Sequence, residues 1–236
     1  MRQIPLLTLL LLTTTLSAIA QQRISVDVKT VQVAEGKRVT TERSIYLTSD
    51  GRMIAEQHRP VHLISLANSI GEMRIYDPRK NEVAMVSDKE LASGKEIVAM
   101  FAWGTYNDMG LPAYGFRQSN VRYENGLTIK TFTPKSHANI SEVELVFQNL
   151  LPICMIYYDS KLQPVRKVYF SNYKHDRIPM PMRITEIEYS SPRDSVVRLS
   201  TYSNLLVGPR ANSPMFDFQV PANAKRTNVD LNKLVQ

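Results

Sequence analysis

Apolar and polar residues alternate one by one along most of this chain. Ile24, Val26 and Val28 interleave with Arg23, Ser25, Asp27 and Lys29. Val143, Leu145 and Phe147 interleave with Glu142, Glu144 and Val146, and Phe216, Phe218 and Val220 with Asp217 and Gln219. Successive side chains of a strand point to opposite faces, so each run predicts a strand with one apolar face. Further strands are predicted over 44–48, 52–56, 62–67, 74–77, 82–86, 127–133, 153–158, 165–173, 182–189 and 195–206. Ser49-Asp50-Gly51, Asp77-Pro78, Glu124-Asn125-Gly126 and Ser191-Pro192 supply turns between them. Strands joined this closely predict an antiparallel meander in a mainly β chain.

One segment breaks the period. Ser87 with Glu90 and Ser93 with Glu96 have the spacing of a capping box, and Ile97, Met100, Phe101 and Gly104 then recur at helical intervals. A short helix is predicted there. Val98, Ala99, Ala102 and Trp103 fill its other sides, so it is apolar all round and suited to burial. Residues 223–236, with Lys225, Arg226 and Lys233, are expected to form a tail or a short helix on the sheet edge.

The first residues do not belong to this pattern. Arg2, the apolar run from Leu6 to Leu12 and the small residues Ser17-Ala18-Ile19-Ala20 are the parts of a secretory signal peptide, with cleavage expected after Ala20. A membrane span needs about 20 apolar residues, and Thr13, Thr14, Thr15 and Ser17 dilute this one. No cysteine lies near Gln21 to accept a lipid anchor. Residues 21–236 are therefore expected as a single exported domain, soluble and without disulfides, since Cys154 is the only cysteine. Cys154 sits between Ile153 and Met155 and reads as a buried packing residue. Cleavage removes one of the 29 basic residues and none of the 22 acidic ones, so the net charge falls only from +7 to +6. The Lys and Arg residues are scattered, which reads as a solvated surface; nucleic acid is not an expected partner of an exported protein.

Catalytic motifs are sparse. The chain contains no Gly-x-Ser-x-Gly elbow, phosphate loop, dinucleotide fingerprint or Cys-x-x-Cys. His58 and His62 on one strand would lie about 13 Å apart, too far for one ion, and Pro60 bars a helix that would bring them closer. Neither a metal nor another cofactor is expected. Asn139-Ile140-Ser141 matches a glycosylation acceptor, a pattern short enough to arise by chance. Glu186 with Glu188, and Glu142 with Glu144, share strand faces and read as solvated carboxylates rather than an acid–base pair. The chain is read as a non-enzyme, with an envelope hydrolase as the remote alternative.

The stretch Gly71-Glu72-Met73-Arg74-Ile75-Tyr76-Asp77-Pro78-Arg79-Lys80-Asn81-Glu82-Val83 resembles a hairpin of the LolA/LolB family, periplasmic carriers and acceptors of outer-membrane lipoproteins. The apolar helix follows it, as a lid helix does in that family. Residues 167–173, Ile178-Pro179 and 182–189 resemble its paired later strands, and Asn212-Ser213-Pro214-Met215-Phe216-Asp217-Phe218-Gln219-Val220-Pro221 its terminal F-x-F-x-x-P strand. This chain departs from the family by entering its strands directly after Gln22, without an amphipathic first helix. The resemblance implies an unclosed, curved antiparallel β-barrel of about eleven strands with a helical lid over an apolar cavity.

On that reading Ile97, Met100, Phe101 and Trp103 form the lid. Val143, Leu145, Phe147, Val168, Phe170, Val197 and Leu199 line the sheet beneath it. Arg52 corresponds to the family's arginine that locks the lid. The expected function is a monomeric periplasmic carrier that shields lipoprotein acyl chains or another lipid, loaded and unloaded by membrane-bound proteins. The alternative is a cell-envelope interaction module with a filled core that binds a protein or glycan.

Overall fold

The computed structural model of the protein describes residues 22–87, 92–93, 96–136, 139–191 and 194–227; the predicted signal peptide and Glu90 lie outside them. Strands β1 (Arg23–Ala34), β2 (Lys37–Thr48), β3 (Met53–Arg59), β4 (Leu63–Ala67), β5 (Glu72–Asp77) and β6 (Glu82–Ser87) form an antiparallel meander. Helix α1 (Ile97–Ala102) and a 3-10 turn (Leu111–Tyr114) follow. A second meander comprises β7 (Phe116–Glu124), β8 (Leu127–Pro134), β9 (Glu142–Gln148), β10 (Leu151–Tyr158), β11 (Pro164–His175), β12 (Pro179–Ser191) and β13 (Asp194–Val207). Strand β13 then pairs antiparallel with β1, and the short β14 (Lys225–Thr227) adds in parallel to β6.

The result is one sheet of 14 strands whose ends, β14 and β7, are not paired among the described residues. The resemblance implies about eleven strands and the alternation thirteen; the structure keeps twelve of those thirteen, loses one and adds β7 and β14. Strand β7 is largely polar and exposed, so it carries no alternation to read. Strand β14 has three exposed residues, Lys225 to Thr227, and is too short for alternation to reveal; the rest of the expected tail or helix, residues 228–236, lies outside the described residues. The apolar alternation at Phe216, Phe218 and Val220, in contrast, is not a strand. Pro214–Asp217 forms a 3-10 turn capped by Ser213, whose Oγ accepts from the Met215 N–H at 3.3 Å. Pro214 and Pro221 have no N–H to give to a ladder.

The two ends of the chain's middle connection explain the shape. The segment from β6 to β7 must travel from one edge region of the sheet to the other, and it does so across the inner face. Val98, Ala99 and Phe101 of α1 are at most 1% exposed and join a core built from Ile24, Val26 and Val28 of β1, Ile45 and Leu47 of β2, and Val143 and Leu145 of β9. Nothing local holds α1. Its N-cap is Glu96 with no side-chain cap bond, and its turns carry no favourable charges. Ser93, the predicted cap, instead donates from Oγ to the Gly51 carbonyl at 2.6 Å. A six-residue helix is stable only through packing.

A second, smaller core lies on the outer face of the first meander. Ile54, Ile64, Tyr76 and Val83 are covered there by Met215, Phe218, Val220 and Ala224. Phe216 packs edge-on against Tyr46, ring centres 5.5 Å apart, with the Arg23 guanidinium 5.0 Å above its other face. Arg52 donates from Nη2 to the Phe218 carbonyl. It therefore ties down the C-terminal stretch on the outer face, whereas the resemblance made it the lock of the lid.

Candidate functional site

A cavity of about 490 Å³ opens between α1 and the inner face of the second meander. Its apolar wall comes from Ile97 and Met100 of α1, Met109 and Leu111 of the following turn, Met155 of β10, Val168 and Phe170 of β11 and Ile184 of β12. Register arranges the rest. Phe170, Ile184 and Ser200 are cross-strand neighbours in one row, Val168, Glu186 and Arg198 in the next, and Arg166, Glu188 and Val196 in a third. Moving along the strands, the wall thus changes from buried apolar to charged. Val168 and Phe170 are 6% and 3% exposed, whereas the Arg166 and Arg198 side chains are 41% and 38% exposed.

Glu186 ties the charged end together. Its carboxylate accepts from Arg166 Nη2 at 2.6 Å and from Arg198 Nη1, and Arg198 Nε donates to Gln32 Oε1 at 2.8 Å. Burial pushes the Glu186 carboxyl up, but the hydrogen bonds and charges of Arg166 and Arg198 outweigh it and hold the group below the ordinary 4.5. That stabilisation is complete above 4.5 and is lost as pH falls through the folded value. The stability difference between the native chain and Glu186→Gln should therefore shrink as urea unfolding is repeated below pH 4.5. Glu186 had the sequence signature of a solvated sheet face; the inner face here is simply charged.

A second ion pair anchors the helix. Arg43 of β2 donates from Nη2 to Glu96 Oε1 at 3.1 Å, immediately before α1, with side chains 33% and 17% exposed. The Glu96 charge raises the affinity of Arg43 for its proton. Among the described residues, Arg43 is hydrogen-bonded to the helical segment and Arg52 to Phe218.

The expected lining residues divide into four groups. Ile97, Met100, Val168 and Phe170 line the cavity. Phe101, Val143, Leu145 and Phe147 lie in the core beside it. Trp103, at the C-cap of α1, is 36% exposed. Val197 and Leu199 face outward, paired with Val33 and Val31, while Arg198, Ser200 and Tyr202 face the cavity. A bulge causes that reversal. Between Leu206 and Ser203 β13 advances three residues while β1 advances two from Ser25 to Asp27, and Asn204 takes φ 51°. The buried Leu205 and Val207 share odd numbers with Val197 and Leu199, but the extra residue exchanges the faces.

Other candidate chemistry has a plain reading. His58 and His62 stack with ring centres 6.5 Å apart because the chain turns between β3 and β4 and does not continue as one strand. Among the described residues no group of three or more His, Cys, Asp or Glu is placed to hold a metal. Ser44 donates from Oγ to Asp27 Oδ1 at 2.6 Å and lies 3.0 Å from His58 Nε2. The hydroxyl sits between acid and imidazole, the wrong order for a nucleophile activated by a base. Cys154 is half-buried on the outer face, paired with Tyr169, and burial pushes its thiol up to about 11, so it stays protonated at neutral pH.

No family profile and no curated protein matches the sequence. Solved structures do match in three dimensions. A LolA superfamily protein from Nitrosomonas europaea superposes with TM-score 0.55 at 12% identity, covering 84% of this chain and 90% of its own. A putative outer-membrane lipoprotein-sorting domain from Vibrio parahaemolyticus gives 0.56 at 12%, covering 83% and 89%. A DUF1329 family protein from Desulfovibrio piger gives 0.54 at 18%, covering 86% and 91%. The chain has a LolA-like fold, here one large unclosed, antiparallel-dominated sheet, and the likeness is one of fold at 12–18% sequence identity.

Proposed function

We propose that this chain is a periplasmic carrier that shields the acyl chains of a lipid or lipoprotein, exported by the signal peptide at 1–20. The observation that carries this reading is the cavity of about 490 Å³ with an apolar wall beneath α1, within the range of small-molecule sites, roughly 300–1,000 Å³. The physical need is large. Each buried CH₂ is worth about 0.8 kcal/mol, so a chain of roughly fourteen carbons gains on the order of 10 kcal/mol on leaving water. A lipid does not cross an aqueous gap unassisted at that cost. The LolA-like fold supports the reading. The short α1 fits a cover that opens, because among the described residues its hold on the sheet is side-chain packing and one ion pair.

A neutral apolar dye such as N-phenyl-1-naphthylamine tests the reading. Its fluorescence should rise on mixing with the mature protein and fall several-fold in Ile97→Trp, which fills the cavity from a half-buried position. The melting temperature of that variant should stay within a few degrees of the native one. No rise with the native protein overturns the carrier and favours an envelope interaction module with a filled core.

A further inference from the structure

Along β11 to β13 the cavity wall runs from apolar to charged, while the mutually paired Arg43 and Glu96 stand at the opposite end, in the row of Val28 and Tyr202. The deep rows carry Phe170, Ile184, Val168 and Met155, all at most 7% exposed. Two residues further along β11 the wall ends in Arg166, about 13 Å from Phe170 at the rise of a strand. At the charged end two guanidiniums, Arg166 and Arg198, share one carboxylate, Glu186, while Arg43 and Glu96 balance each other elsewhere on the wall. Glu188, 52% exposed on the rim, reaches Arg198 only at 3.4 Å, where solvent screens it. A guanidinium has five donors. Glu186 takes one from Arg166, and the buried Arg166 Nε–H finds no acceptor among the described residues. A neutral head group would leave that surplus of donors unused, and a cationic one would be repelled by it.

From this we infer that the carried molecule is an anionic amphiphile, whose carboxylate or phosphate seats against Arg166 and Arg198 while its acyl chain runs inward along Val168 and Phe170. The inference rests on the carrier reading and narrows its cargo. A direct charge-assisted contact of this kind is worth roughly tenfold or more in affinity. Glu186 then has a second use: by bridging the two arginines in the empty protein it holds them in place for the arriving oxyanion.

The test is isothermal titration at low salt, below micelle formation, with three ligands of equal chain length: hexadecanoate, hexadecanoyl lysophosphatidate and the neutral monohexadecanoylglycerol. At least one anionic ligand should bind ten times more tightly than the glycerol ester, and whichever anion binds more tightly identifies carboxylate or phosphate as the natural group. Arg166→Gln should abolish the preference for the anionic ligands, and Arg166→Lys should retain part of it. If Arg166→Gln fails to fold, Arg198→Gln and a decline of the native preference with added salt serve instead. Equal affinities for all three ligands, or a preference that survives both arginine substitutions, overturn the anionic cargo and leave the carrier standing. Binding of none of the three overturns the carrier itself.

Discussion

Phe101→Ala is expected to cost about 3–5 kcal/mol of stability, the usual range for a buried aromatic. Phe101 is 1% exposed and stacks on Tyr106 with ring centres 4.8 Å apart, with Tyr173 at 6.0 Å and Phe170 at 6.4 Å. Because α1 has neither cap nor favourable end charges, the loss falls on the contact that holds the helix to the sheet. Urea unfolding followed by circular dichroism measures it. A loss below 1 kcal/mol would mean that α1 is not part of the core. The resemblance placed Phe101 in a lid, and at a true lid position a charged replacement would weaken lipid binding more than stability. Its burial predicts the reverse order, and a charge there should unfold the chain before it touches binding. Ile97, at the cavity wall and half-buried, is the position that separates the two effects.

Truncation after Ala211 is expected to be still more damaging. The lost stretch carries Met215, Phe216, Phe218 and Val220, which cover Tyr46, Ile54, Ile64 and Tyr76 on the outer face. Four such side chains at roughly 1.5–3 kcal/mol each amount to a large part of a typical stability of about 5–15 kcal/mol. The shortened chain should aggregate during purification or unfold well below the temperature of the full chain, whereas Arg52→Ala, which removes one tether to the Phe218 carbonyl, should cost only about 1 kcal/mol. A truncated protein that is monomeric and as stable as the full one would show that the second core contributes nothing. The basis of the contrast is area: a hydrogen bond to one carbonyl is small beside an apolar face left open to water.

Strand positions were legible because alternation is a local property. Ile24, Val26 and Val28 read as one buried face, and so they are. What alternation does not carry is an inserted residue. The bulge at Asn204 exchanged the faces of the earlier part of β13, so Val197 and Leu199 were read as lining although it is Arg198 and Ser200 that face the cavity. The same limit hid the charged end of the cavity. Arg166, Glu186 and Arg198 come from three strands and acquire meaning only through their cross-strand register. Arg43 and Glu96 lie 53 residues apart and meet only because the helical segment recrosses the sheet. Phe216 and Phe218 show the converse: an i, i+2 apolar pair served a coil packed on a sheet, since Pro214 and Pro221 deny it a ladder.

The most direct test of the central claim is native mass spectrometry of the mature protein, purified from a periplasmic extract without detergent, with organic extraction of any added mass. The account predicts an acyl lipid or lipopeptide bound near one per protein, with an anionic head group. A mass equal to the bare chain, together with failure to take up added hexadecanoate or monohexadecanoylglycerol, would contradict it.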